Sequence, residues 1–238
     1  MSNEKQQISI VQNRDCMEAM AEFPDKFFEL AIVDPPYGIG ESRRKNYHPK
    51  AYTNYKPADW DNNRPDEGYF KELFRVSKNQ IIWGGNYFDL PPSAKPIIWD
   101  KMQPEGIDQA MFEYAWNSQD KVQAKIYRQS ATSNTNNVST SRWHASGNIR
   151  IHPTQKPIAL YKWLLANYAK PGDKILDTHL GSGSSRIAAW DMGFDFWGYE
   201  LSEHYYQEQE KRFKTHISKP VLFTPEEMYR AKQQTLFT

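Results

Sequence analysis

The chain reads as an α/β protein built around buried strands that end in acidic residues, and three observations predict this. Phe28-Glu29-Leu30-Ala31-Ile32-Val33 is an apolar run stopped by Asp34-Pro35-Pro36, and two prolines remove backbone donors and forbid further pairing. Lys174-Ile175-Leu176-Asp177 is a second short run, and Gly181-Ser182-Gly183 then turns into a helical stretch. A third run, Phe194 to Tyr199, ends at Glu200, 23 residues after Asp177. Strand, Gly-x-Gly turn, helix and acid-tipped strand make a nucleoside-binding βαβ pattern, whose acid takes ribose hydroxyls. No third glycine follows at dinucleotide spacing, so no pyrophosphate cradle is expected.

The remaining elements follow in order. Ile8-Ser9-Ile10-Val11 reads as a short strand, and Asp15 as the cap of a helix beginning at Cys16. After Tyr37, Gly38-Ile39-Gly40 opens a loop to about Trp60. It carries Arg43, Arg44, Lys45, Lys50 and Lys56, interleaved with Tyr47, Tyr52 and Tyr55, a mixture suited to a strand with exposed bases. Asp66 to Ser77 has helical periodicity; Gln80-Ile81-Ile82-Trp83 is a strand running into Gly84-Gly85-Asn86-Tyr87. Lys95 to Trp99 and Met111 to Trp116 read as two more strands. Thr154 is expected to cap a helix with Ile158, Leu160, Trp163, Leu164 and Leu165 on its apolar stripe, and Ser202 to about Ile217 to form a closing helix.

At 238 residues the chain suits one sizeable core with a small insertion. No secretory leader is read, and no apolar run approaches the about eighteen residues of a membrane span, so no membrane partner is expected. A single cysteine, Cys16, excludes an internal disulfide and fits a reducing, cytoplasmic compartment. The six histidines form no ligand-spaced cluster, so no metal is expected. Charge is unevenly spread. Lys121 to Gly172 holds eight Lys and Arg and no acid, so it carries +8 against −7 for the remainder. This is the footprint of a phosphate-facing surface. Within it Ser130 to Ser141 has no apolar periodicity and cannot pack a core of its own. Residues 117–148 are therefore read as a small target-recognition insertion, with Lys125, Arg128, Arg142, Trp143 and His144 as candidate DNA contacts.

The chemistry concentrates in Asp34-Pro35-Pro36-Tyr37. An exocyclic amino nitrogen on a base is a poor nucleophile because its lone pair is delocalised into the ring. Two acceptors aimed at its two N–H groups localise that pair. Asp34 offers one, the Pro35 carbonyl held rigid by Pro36 offers the other, and Tyr37 offers a stacking face for a base that has left the duplex. A solvated carboxylate after a plain proline turn is the simpler alternative.

Over roughly residues 8 to 210 the sequence resembles the amino-methylating DNA methyltransferases, which carry Asp-Pro-Pro-Tyr at the catalytic loop. Two other segments carry the resemblance. Ile151-His152-Pro153-Thr154-Gln155-Lys156-Pro157 is similar to the segment that holds the amino-acid end of S-adenosylmethionine, which implies His152, Thr154 and Lys156 as donor contacts. Asp177 to Ser184 is similar to the family's donor loop Asp-Pro-Phe-x-Gly-Ser-Gly-Thr, with Thr178, His179 and Ser184 in place of Pro, Phe and Thr. It implies Asp177, His179, Gly181, Ser182, Gly183 and Ser184 as donor contacts, Glu200 on the ribose, and Asp15 and Cys16 beside the adenine ring. A helical cap is the equal alternative for Asp15. Trp83 to Tyr87 is similar to a segment that walls the target base.

The motif order, catalytic tetrapeptide before donor loop, is that of the beta class. The resemblance implies a Rossmann-like S-adenosylmethionine-dependent methyltransferase fold with a mixed seven-stranded sheet, helices on both faces, and the two key strands side by side. It also implies double-stranded DNA as partner and S-adenosylmethionine as cofactor. Asp at the first tetrapeptide position favours the N6 amino group of adenine, where cytosine-amino enzymes more often have Ser. Ring-carbon methylation is disfavoured, because Cys16 follows Asp15 and not the usual Pro. The alternatives are cytosine N4 methylation, a nicotinamide or flavin oxidoreductase using the Gly loop, and a DNA-binding protein with a degenerate donor site.

Overall fold

The computed structural model describes residues 7–40, 61, 63–93, 95–106, 110–130, 151–220, 224, 227 and 229–230. Its strands are β1 (Ser9–Asn13), β2 (Phe28–Val33), β3 (Ser77–Trp83), β4 (Ile97–Asp100), β5 (Phe112–Asn117), β6 (Lys125–Arg128), β7 (Lys174–Asp177) and β8 (Asp195–Glu200). The helices are α1 (Cys16–Met20), α2 (Glu67–Val76), α3 (Ile158–Tyr168), α4 (Ser184–Asp191) and α5 (Glu203–Ile217), and a 3-10 turn, Gly85–Tyr87, follows β3.

The strands form one sheet in the order β1-β8-β7-β2-β3-β5-β4-β6. From β1 to β3 every neighbour is parallel, and β2 lies directly against β7 through Leu30↔Ile175 and Ala31↔Leu176. This is the adjacency expected of the two key strands. β5 runs antiparallel to both β3 and β4, which makes the sheet mixed.

The sheet has eight strands and not the seven expected. The additional one is β6, paired parallel with β4, and it lies within the stretch read as an insertion. Its alternation is inverted with respect to apolarity: Ile126 is exposed while Lys125 and Tyr127 are half-buried. The Lys125 ammonium bonds Asn167 Oδ1 on α3, and the Tyr127 ring packs on Trp163 at 5.3 Å. A strand whose aliphatic residue points outward gives no strand signal in sequence.

The core lies on both faces of the central strands. Leu30 and Ile32 of β2 and Ile81 and Trp83 of β3 pack with α3 and α4, while Ala31, Val33 and Ile82 pack with residues of α1 and α2. Strands covered on both faces read as continuous apolar runs, which is why β2 and β3 were legible.

The helix starts are set by local acceptors. Asp15 accepts from Met17 N at 2.7 Å, Asp66 from Tyr69 N at 3.1 Å and Ser202 from Tyr205 N at 3.4 Å. Thr154 does not cap α3. The capping position is Pro157, without a side-chain bond, because the Thr154 hydroxyl lies 3.1 Å from His152 Nδ1 instead. No helix among the described residues is long and apolar enough to cross a membrane.

Ile81 is fully buried in the centre of the sheet. Replacing it with Ala is expected to lower the unfolding free energy by about 2–5 kcal/mol, measured as a shift of the urea midpoint. A loss below about 1 kcal/mol would contradict its place in the core.

Candidate active site

The parallel strands place their carboxyl ends along one edge, the usual ligand edge of an open α/β sheet. Asp34 follows β2, Asp177 ends β7, Glu200 ends β8 and Gly84 follows β3. Because β5 runs the other way, its amino end lies on this same edge, with Glu113 opposite Trp99 near the end of β4.

One half of the site surrounds the glycine turn. Gly181 and Gly183 have φ of +52° and +71°, a left-handed conformation that glycine adopts without strain. The Gly181 N–H donates to Glu200 Oε2 at 2.7 Å, and Ser202 N–H donates to Oε1 at 2.9 Å. Asp177 accepts from Ser185 Oγ at 2.5 Å and from His179 N at 3.1 Å. Burial pushes the Asp177 carboxyl up to about 7 and also raises Glu200. Each oxygen of these two carboxylates carries one donor and can accept a second, so vicinal hydroxyls suit Glu200.

Ser182 and Ser184 lie under the turn, their hydroxyls 3.2 Å apart, and Arg212 Nη1 donates to Ser182 O at 2.7 Å and Ser184 Oγ at 2.9 Å. His152 lies over Gly181, against the Tyr205 ring at 4.3 Å. Asp15 is engaged as the helix cap. Cys16 beside it is a half-buried free thiol, pushed up to about 12 by burial and then by Asp15. His179 packs edge-on to Tyr69 at 5.3 Å, and burial lowers it to about 4, so it is neutral at pH 7.

The other half is the Asp34 turn. Tyr37 donates its hydroxyl to Asp34 Oδ1 at 2.6 Å, and the Lys156 ammonium bonds Asp34 Oδ2. Burial first, and Asp34 second, hold the Tyr37 phenol well above its ordinary value, so it stays a donor. Its ring stacks on Tyr87 with centroids 4.9 Å apart at 15°. Gly84 meets the same ring so closely that a Cβ there would fall 2.2 Å from a ring carbon. The turn beyond is clamped by the buried Asp61, whose Oδ1 accepts from Gly38 N at 2.9 Å.

Lys156, implied by the resemblance as a donor contact, is engaged by two carboxylates. Its side chain is 3 % exposed and lies between Asp34 and Glu113, with Glu113 Oε2 at 3.1 Å and the Trp83 ring at 5.2 Å. Glu113 Oε2 is paired in charge but lacks hydrogen-bond direction, and its other oxygen takes Lys101 at 2.5 Å.

Sequence reasoning passed over Glu113 and Tyr69. Tyr69 on α2 bonds Thr178 Oγ1 at 2.7 Å, linking that helix to the glycine turn. Nothing in the local pattern singles out Tyr69 within Asp66 to Ser77 or Glu113 within Met111 to Trp116. Of the candidate DNA contacts, Lys125 is tied to Asn167, and Arg128 is exposed and reaches Asp100 Oδ2 at 3.3 Å. Arg43, Arg44, Lys45, Lys50, Arg142, Trp143 and His144 lie outside the described residues. Among the described residues no group of three or more His, Cys, Asp or Glu is arranged to hold a metal ion.

Comparison with known proteins bears on this geometry. A family model described as DNA methylase matches residues 84–211, more than half of the chain. A relative from Escherichia coli K12, the putative methylase YubD, is 26 % identical over 212 residues, covering 83 % of this chain and 87 % of its own. The PvuII DNA methyltransferase, titled cytosine-N4-specific, superposes with a TM-score of 0.56 at 14 % identity over 96 % of this chain and 94 % of its own. The M1.HpyAVI-SAM complex gives 0.53 at 17 % identity over 85 % and 98 %. At these identities the two structures establish a shared fold.

The neutral, half-buried His179 has a pH signature. Its value of about 4 lies below the ordinary 6.5, so the stability gained from a neutral ring is complete above pH 6.5 and is lost as pH falls towards 4. Phe at this position does not titrate, and Asp177 is common to both proteins. The difference in unfolding free energy, His179→Phe minus wild type, should therefore favour the variant by about 1–2 kcal/mol more at pH 5 than at pH 8. An equal difference at both pH values in denaturant titrations would contradict this.

Proposed function

The chain belongs to the DNA methylase family, and we propose that it transfers a methyl group from S-adenosylmethionine to the N6 amino group of a flipped-out adenine in duplex DNA. The observation that carries this is the position of Asp34 at the end of β2, beside β7 and its glycine turn. That adjacency brings an acceptor for an amino group next to a site for a nucleoside.

The donor fits the residues present. Two left-handed glycines make the turn, Glu200 keeps acceptor capacity for ribose hydroxyls, and Asp15, Cys16, Asp177, His179 and Ser182 to Ser184 bound the rest. When bound, S-adenosylmethionine supplies an electrophilic methyl group on a sulfonium sulfur.

The chain's own residues prepare the nucleophile. Asp34 and the Pro35 carbonyl take the two N–H groups of the target amine, so its lone pair is held for attack. The Tyr37 ring, which already accepts a flat partner in Tyr87, stacks the base. Holding the reactants together removes orientational freedom, and a carboxylate fixed before reaction stabilises the positive charge that develops on nitrogen. The proton shed afterwards leaves along the N–H already directed at Asp34. No covalent intermediate with the protein is needed. Asp at the first position of the tetrapeptide supports adenine over cytosine.

Duplex DNA lies across the carboxyl edge. The acid-free stretch, with the exposed Arg128, supplies positive charge for its phosphates, and Arg43, Arg44, Lys45, Lys50 and Arg142 are further candidate phosphate contacts by charge. Residues 117–148 contribute target reading within a single methyltransferase domain.

Asp34→Ala should slow methyl transfer to DNA by at least about 10²–10³-fold, while binding of S-adenosylmethionine by calorimetry stays within about threefold of wild type. A retained rate would sink the mechanism.

A further inference from the structure

Four charged groups converge at the carboxyl edge. They run in the order Lys101, Glu113, Lys156, Asp34, each in contact with the next. They come from distant parts of the chain: the end of β4, the start of β5, the approach to α3 and the end of β2. Their formal charges sum to zero. Burial alone would lower the Lys156 ammonium, but Asp34 and Glu113 outweigh it and raise its affinity for the proton. Burial would likewise raise Glu113, but Lys156 and Lys101 hold it below its ordinary value. A donor carboxylate brought to Lys156 would leave an excess negative charge in this enclosed site, which costs more than it would in water.

The two oxygens of Asp34 differ. Oδ2 is held by a buried ammonium that a second carboxylate and the Trp83 ring keep in place. Among the described residues, Oδ1 holds only a neutral hydroxyl, from Tyr37. Both bonds are charge-assisted, but only that of Lys156 joins two ions and is itself buried, so an incoming N–H replaces the Tyr37 hydroxyl and not Lys156.

We propose that Lys156 and Glu113 are a positioning pair for Asp34: Lys156 pins Oδ2, Glu113 holds Lys156 there, and Oδ1 is the oxygen that receives the target amine. This rests on the reading of Asp34 as the amine acceptor. It gives Lys156 a role in turnover and not in holding the donor. Without Lys156 the cluster carries one excess negative charge; Lys101 still holds Glu113 ionised, so Asp34 is the carboxylate that takes a proton. A protonated Asp34 is a poor acceptor. Removing the Glu113 charge as well relieves the conflict and leaves Asp34 ionised, though less well aimed.

The test compares Lys156→Met, Lys156→Met/Glu113→Gln and Asp34→Asn, reading single-turnover transfer at saturating S-adenosylmethionine and donor binding by calorimetry. Lys156→Met should transfer about 100-fold more slowly with donor affinity within about threefold of wild type. The double variant should regain about tenfold, a coupling that independent structural damage cannot produce. Two results overturn the proposal: donor affinity weakened about tenfold with the transfer rate retained, or a double variant no faster than Lys156→Met. If Lys156→Met does not fold, the double variant, which buries no unmatched carboxylate beside Asp34, is compared with Asp34→Asn. A faster double variant supports the proposal, and an equal or slower one overturns it. Wild-type rate in Asp34→Asn would instead bring down the underlying reading, whatever Lys156 does.

Discussion

The pairing of β2 with β7 is the contact on which the rest of the site depends. Both strands are buried on two faces, so their register is set by packing from above and below. A slip of one residue would turn Leu30 and Ile32 from one layer to the other and would move Asp34 away from the glycine turn. The carboxyl ends of β2, β7 and β8 then converge because the strands are parallel. The reversed β5 adds Glu113 to the same edge.

Around that edge the two halves are held by different physics. The glycine turn is a polar lattice: backbone amides on Glu200, a serine on Asp177, and a buried arginine on Ser182 and Ser184. Its carboxylates are desolvated, and its histidine is neutral. The Asp34 turn is instead an ion-pair chain capped by a phenol. Buried pairs of this kind add little net stability, but breaking one leaves an unmatched charge. That makes the chain a means of fixing where Asp34 points. Tyr69 joins the two halves through Thr178.

Much of this was legible in the sequence where the signal was local. Two-sided burial made β2, β3 and β7 readable, and strand-terminal acids beside proline or glycine turns pointed to Asp34, Asp177 and Glu200. Asp15, Asp66 and Ser202 stand at helix starts because a short side chain reaches the first amides. What could not be read was long-range or inverted. Lys156 meets Asp34 across 122 positions, and nothing near either residue announces it. Glu113 reaches the site only because β5 reverses. β6 was missed because Ile126 faces out. Thr154 looked like a cap, yet His152 two residues earlier takes its hydroxyl.

In the proposed reaction an amine acceptor and a donor site meet at one sheet edge to methylate adenine. Incubation with methyl-labelled S-adenosylmethionine and unmethylated DNA of mixed sequence, followed by digestion to nucleosides, tests it most directly. The account predicts label in N6-methyl-2′-deoxyadenosine. Label in N4-methyl-2′-deoxycytidine would contradict the choice of base, and absence of label from DNA while the donor binds would contradict the reaction itself.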